Sequence, residues 1–144
     1  MNITVNYKPS DFPEILAINN ACYKDDECPP EATLRQIISV SDVFQMRDLD
    51  GTLCGFAIAQ SWSDSAYLWS LAVDPHYQKC GYGRGLLKFV TETYRGMRYD
   101  HIRLHVHENN PAQKLYFDAG FRVYDLAHGY YKNALGVMMK LKYD

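Results

Sequence analysis

The sequence has no apolar run approaching the roughly 18 residues that a membrane-spanning helix requires, so no membrane partner is expected. It has no long run of one charge, and its formal net charge is −2. Strong nucleic-acid binding needs a basic face, so nucleic acid is not an expected partner either. Cysteine is scarce: Cys22, Cys28, Cys54 and Cys80 show neither C-x-x-C spacing nor a paired-ligand pattern. That excludes a disulfide framework and a zinc site of the usual kind, and no metal is expected. Free thiols suit a reducing compartment, and a cytoplasmic location follows as the default. The polar residues Asn2, Asn6, Lys8 and Asp11 break up the apolar stretch that a signal peptide needs. Internal repeats and low-complexity segments are also missing.

What is present is an ordinary globular composition, 47% hydrophobic and 22% charged over 144 residues. This is the size of one domain with a single core, spanning residues 1–144. Ile3 to Tyr7 alternates apolar and polar residues and predicts a strand that Pro9 ends. Ser10 or Asp11 then caps an amphipathic helix with Phe12, Ile15, Leu16, Asn19 and Cys22 on one face. Pro29 and Pro30 precede a second helix over 31–39. Strands are predicted at 43–48 and 53–60 around an Asp50-Gly51 hairpin turn, and at 66–73, where both faces are apolar. A helix follows over 83–98, with Leu86, Val90 and Tyr94 at helical spacing, then a strand over 101–107. Asn110-Pro111 opens a helix that stops at Gly120. A last pair of strands, 121–125 and 136–143, flanks a long turn over 127–134. The order predicts an α/β (α+β) fold: a mixed, mostly antiparallel sheet with helices on both faces.

The stretch from Leu71 to Leu87 carries the first chemical signal. It reads as a buried strand, a break at Asp74-Pro75, a glycine-rich turn and a helix start. A helix N-terminus presents free N–H groups and partial positive charge, which suits phosphate. Gly81 and Gly83 let a ligand approach the main chain without a Cβ in the way. The turn is not a G-x-G-x-x-G dinucleotide fingerprint, because residue 86 is Leu, and it is not a P-loop, because no Gly-Lys-Ser/Thr follows.

Gln78-Lys79-Cys80-Gly81-Tyr82-Gly83 resembles the Q/R-x-x-G-x-G/A motif of the GCN5-related N-acetyltransferase (GNAT) superfamily. Val106, Asn110, Ala112, Leu115-Tyr116 and Gly120-Phe121 resemble its second hallmark. The likeness spans the chain, though before residue 66 it is one of element order only. The resemblance implies acetyl-CoA as cosubstrate. Its pyrophosphate would be held by the main chain of Gln78, Lys79, Cys80, Gly81, Tyr82 and Gly83, with Arg84. Leu71, Ala72 and Val73 would pair with its pantetheine arm, and Asn110 would contact that arm or hold the following helix. Tyr116 would lie near the sulfur as the acid that protonates the leaving thiolate, and the Val73 N–H would stabilise the oxyanion.

Acetyl transfer needs a neutral amine, and an alkylamine with a pKa of about 10.4 arrives protonated. Many relatives carry a glutamate in the fourth strand as base. Here that region reads Leu68-Trp69-Ser70-Leu71, without an acid. Glu27, Glu108, His107 or water alone remain as candidates, while His105 and His107 follow strand periodicity. By resemblance, the region between the first two helices forms part of the acceptor wall. It holds Asp25, Asp26 and Glu27, which would attract a cationic amine, and Tyr23, Trp62 or Trp69 would pack its methylenes or hold its ammonium by cation–π contact. A small di- or polyamine of the spermidine/spermine-acetyltransferase kind is the expected acceptor. A protein N-terminus or lysine is the alternative, and a non-catalytic acyl-CoA-binding module is another. A homodimer paired through the last strand is compatible with this reading.

Overall fold

A computed structural model of the chain describes residues 1–24 and 27–144. Asp25 and Asp26 therefore lie outside the described residues. Seven strands form one sheet in the order β1-β2-β3-β4-β5-β7-β6. In chain order the elements are β1 (Asn2–Thr4), α1 (Phe12–Cys22), α2 (Glu31–Ser39), β2 (Asp42–Arg47), β3 (Leu53–Trp62) and β4 (Ser65–Val73). They continue with α3 (Tyr82–Gly96), β5 (His101–His107), α4 (Ala112–Asp118), β6 (Arg122–Tyr131) and β7 (Ala134–Lys142). The β4–β5 pair is parallel, with α3 as its crossover, and the other pairings are antiparallel. Among the described residues no helix is long and apolar enough to cross a membrane.

The apolar positions of β2 and β3 divide between two cores because successive side chains of a strand point to opposite faces. Phe44, Met46, Ala57 and Ala59 pack with Leu86, Leu87, Val90 and Tyr94 of α3. Val43, Phe56 and Ile58 pack with Phe12, Ile15 and Ile18 of α1 and Leu34 and Ile38 of α2. Helices thus cover both faces, and β3 is buried on both sides over Leu53–Ala59. Gly55 lets β3 approach β4 closely, since a Cβ there would sit 2.9 Å from the Ala72 carbonyl oxygen.

Two expected boundaries move. The first strand ends at Thr4 rather than Tyr7, because the chain turns inward to bring Asp11 to β2, where its carboxylate meets Gln45 at 3.1 Å and Arg47 at 3.2 Å. The expected long turn over 127–134 is strand on both sides of Lys132 and Asn133. His128-Gly129-Tyr130 has turn chemistry, but it forms an irregularity in the β6–β7 ladder, with Gly129 at φ +76°.

The feature that makes a site is the parting of β4 from β5. Their register runs only from Ser65↔His101 to Leu68↔Leu104. At that point β4 bulges: Leu68 faces Ala59 and Ser70 faces Ile58, so Trp69 is the extra residue. A bulge bends its strand and increases its twist. Beyond it, His105–His107 pair with β7 alone, and Leu71–Val73 present a main-chain edge to the opening.

Candidate active site

Two clefts meet where the strands part. The larger, about 490 Å³, runs along Leu71–Val73 and is walled by Gln78, Gly83 and the start of α4. The smaller, about 70 Å³, lies beyond the bulge between Trp69, Ser70, His105 and Ile37. Tyr23, Glu27, His107, Asn110 and Tyr116 line both, so they mark the junction. This is where an acyl group held in one cleft would meet an acceptor held in the other.

The main-chain edge of β4 is partly occupied by the protein itself. The Tyr23 hydroxyl donates to the Leu71 carbonyl oxygen at 2.7 Å and accepts from the Leu71 N–H at 3.3 Å. The Val73 carbonyl oxygen accepts from the Gln78 amide at 2.8 Å and from the Cys22 thiol at 3.1 Å. Strand alternation turns the Val73 N–H to the same side as its carbonyl, into the cleft. The Gln78 side chain therefore caps a strand carbonyl, leaving its main chain for a ligand. Tyr23 is a contributor that sequence reasoning saw only as a packing aromatic, since nothing in its spacing marks a hydroxyl that bonds a strand 48 residues on.

At the far end of the large cleft the glycine turn meets α3. Lys79 at φ +65° and Gly81 at φ +82° take the left-handed conformation, and Gly81 is the N-cap residue. The first N–H groups of α3 have no carbonyl four residues back, so they face outward with the dipole's positive end. Gly81, Gly83, Lys79 and Arg84 line this end, and the Arg84 guanidinium stands 4.0 Å from the Asp118 carboxylate. A Cβ on Gly83 would sit 3.6 Å from Val73 Cγ2 and 3.7 Å from Leu115 Cδ2, narrowing the floor. The Tyr82 ring turns toward the core, near Tyr77, and the Cys80 side chain is exposed.

At the junction, Asn110 is held twice. Its Oδ1 accepts the Ala112 N–H at 2.8 Å, tying off the start of α4, and its Nδ2 donates to Glu27 Oε1 at 3.2 Å. Tyr116 is 6% exposed and packs edge-on against Phe121, and its hydroxyl makes no hydrogen bond to a described residue. Burial, reinforced by Tyr23 and Tyr131, raises its pKa well above the usual phenol value, so it stays a proton donor. Burial likewise raises Tyr23, against the opposing hydrogen bonds of Ser70 and Leu71.

The candidates for a base separate on geometry. Glu108 accepts the Leu135 N–H at 3.0 Å and lines neither cleft. His107 Nδ1 accepts the Asn109 N–H at 3.1 Å, so its neutral ring carries hydrogen on Nε2 and has no lone pair to offer. Glu27 reaches the junction. His105 lines the small cleft, with Nδ1 2.7 Å from the Tyr67 hydroxyl and its ring stacked on Tyr130 at 4.2 Å. Trp69, donating from Nε1 to Gln60 at 3.1 Å, forms the cleft's outer rim. Among the described residues no group of His, Cys, Asp or Glu converges as a metal site would.

Residues 12–121 match the family model described as Acetyltransferase (GNAT) family. The [ribosomal protein bS18]-alanine N-acetyltransferase of Haemophilus influenzae is 36% identical over 84 residues, which are 58% of this chain and 58% of that protein. The chain thus spans little more than half the length of the first curated relatives it matches. The N-alpha-acetyltransferase RimI of Mycobacterium tuberculosis is 31% identical over 113 residues, covering 75% of this chain and 70% of that one. In three dimensions the ribosomal-protein-S18-alanine N-acetyltransferase from Escherichia coli aligns with a TM-score of 0.88 at 26% identity, over 98% of this chain and 92% of that chain. With the family model spanning most of the sequence and the parted strands beside a glycine-turn helix start, the chain belongs to the acetyltransferase (GNAT) family.

Proposed function

We propose that this chain is an acetyl-CoA-dependent N-acetyltransferase whose acceptor is the α-amino group of a protein N-terminus. The observation that carries the reading is the pair of clefts meeting at Tyr116 and Glu27, in a fold that aligns over 98% of the chain with an enzyme named for an alanine of a ribosomal protein. The small-polyamine acceptor rested mainly on the Asp25-Asp26-Glu27 run. Only Glu27 of that run lies in the described structure, and the relatives named above favour a protein acceptor.

Acetyl-CoA, when bound, supplies a thioester carbonyl. The residues fit it: a cleft with the Val73 N–H turned into it, a glycine where a side chain would narrow the floor, and a helix N-terminus at the end. The main chain of residues 78–83, with Lys79 and Arg84, would hold its phosphates. Leu71, Ala72 and Val73 would line its arm rather than pair with it along the whole edge. Tyr23 closes both main-chain groups of Leu71, and Gln78 and Cys22 cap the Val73 carbonyl oxygen, which leaves the Val73 N–H as the donor available to a developing oxyanion. Asn110 keeps α4 and Glu27 in place, so it orders the wall. The Glu27 carboxylate is suited to attract an ammonium group at the junction. Tyr116 donates its hydroxyl proton to the departing thiolate. An α-amino group has a pKa near 7.7–8.0, so freeing it near neutral pH costs far less than freeing a lysine amine at about 10.4.

The test is incubation with acetyl-CoA and short peptides bearing free N-termini, with the acetylated atom located by fragment mass spectrometry. The reading predicts acetyl on the α-nitrogen. Thiol release with diamines or polyamines and none with peptides would overturn it.

A further inference from the structure

We propose that His105 is the general base of this chain, taking the proton from the acceptor amine at Nε2 while Tyr67 fixes its ring. The inference rests on the acyltransfer reading above. His105 is on β5 one residue past the last β4–β5 pair, at Leu104, so its side chain enters the small cleft as the strands diverge. Nδ1 is committed to the Tyr67 hydroxyl at 2.7 Å, and Tyr130 lies flat on the ring with an interplanar angle of 12°. The ring is therefore pinned on one edge and one face, and Nε2 is the nitrogen left for a group in the cleft. In the base-competent tautomer the Nδ1 hydrogen is donated to Tyr67 Oη, which can pass its own hydrogen to Tyr130 Oη at 3.4 Å.

The proton balance is simple. The amine N–H bond breaks and an Nε2–H bond forms. The electron pair left on nitrogen forms the new C–N bond at the thioester carbonyl. The C–S bond breaks, and the thiolate takes the Tyr116 hydroxyl proton. The amide nitrogen gives its remaining extra proton back to Tyr116 through water, and the imidazolium returns its proton to solvent. Near neutral pH the ring must be unprotonated for this, and its surroundings favour that form. Burial and the Arg103 guanidinium on the same strand lower the His105 pKa below the ordinary 6.5. Among the described residues, the other titratable groups lining the clefts around it are Tyr67 on β4, Tyr130 and Tyr131 on β6, Tyr116 on α4, His107 on β5, and Tyr23 and Glu27 from the α1–α2 connection. Of these, Glu27 is the one carboxylate, and it is bonded to Asn110.

The experiment compares wild type, His105→Gln and Tyr67→Phe with the best acceptor found in a panel of N-terminal peptides and small amines. Turnover is followed from about pH 6 to about pH 10, and acetyl-CoA affinity is measured by calorimetry. His105→Gln is expected to lose about 100-fold in kcat near neutral pH. The loss should shrink as pH passes the amine's own pKa of about 8, with acetyl-CoA affinity unchanged. Tyr67→Phe is expected to lose less and to move the acidic limb to lower pH, because the imidazolium loses its acceptor. His105→Ala is expected to regain turnover with added imidazole. A His105→Gln enzyme with the wild-type profile, or one with a loss equal at every pH together with no imidazole rescue of His105→Ala, would overturn the assignment. Wild-type activity on small amines alone would overturn the protein-acceptor reading, and the pH comparison would still decide the base. Wild-type inactivity across the whole panel would overturn both.

Discussion

The Tyr23 hydroxyl closes both main-chain groups of Leu71, 2.7 Å from its carbonyl oxygen and 3.3 Å from its nitrogen. Tyr23 is the residue that ends α1, so a helix terminus stands in for the missing neighbour strand of β4. Tyr23→Phe should leave two half-buried backbone groups unpaired and lower the unfolding free energy by about 1–3 kcal/mol. Denaturant titration with an unchanged slope checks this. An unaltered midpoint would show that water replaces the hydroxyl.

Tyr116 makes the opposite prediction for stability. Its hydroxyl has no hydrogen-bond partner among the described residues, so Tyr116→Phe should leave the melting temperature unchanged. If it protonates the leaving thiolate, kcat should fall about 10- to 100-fold while acetyl-CoA affinity stays the same. Because its pKa is raised well above 10.0, it should not produce a basic limb below that pH. Unchanged turnover in the phenylalanine variant would remove it from the chemistry.

Gly83 tests where the cosubstrate lies. Valine there would push methyl groups toward Val73 and Leu115 across the cleft floor. Acetyl-CoA affinity is expected to drop by about 10-fold or more, equivalent to about 1.4 kcal/mol, with stability little altered, since glycine is the poorer helix former. Calorimetric titration and a thermal melt read the two effects separately.

Much of this arrangement was legible in the sequence, for reasons that differ by element. The α3 start and the Asn110–Phe121 stretch are local: the glycines, the proline and the apolar spacing act on their own neighbours. The junction is not local. Tyr23 bonds Leu71, Glu27 bonds Asn110, and His105 bonds Tyr67. The first two pairs meet at the opening where β4 and β5 part beside the extra residue Trp69, while Tyr67 reaches His105 diagonally across the last paired stretch of those strands. Nothing in Leu68-Trp69-Ser70 announces a bulge, because the strand is apolar on either side of it. His128-Gly129-Tyr130 misled for the converse reason: turn-forming residues were used inside a strand to lay Tyr130 on His105.

Acid sensitivity should centre on Asp11, which is 7% exposed. Burial would raise its pKa, but the Lys8 N–H, the Gln45 amide and the Arg47 guanidinium outweigh that and hold it below the ordinary 3.8. A carboxyl lowered on folding contributes stability above its unfolded pKa and loses it as pH falls through the folded one. Stability should therefore hold above about pH 4 and decline below it. Asp11→Asn should be less stable near neutral pH by about 1 kcal/mol and show a shallower acid decline. Parallel acid profiles for the two proteins would contradict the assignment.

The central claim is that the two clefts bring acetyl-CoA to a protein's α-amine. It is tested most directly by one competition: acetyl-CoA, a peptide with a free N-terminus, the same sequence blocked at its N-terminus but carrying lysine, and spermidine, all in one reaction analysed by mass spectrometry. The account predicts acetyl on the free α-amine as the dominant product. Dominant acetylspermidine, or acetyl on the lysine of the blocked peptide, would contradict it.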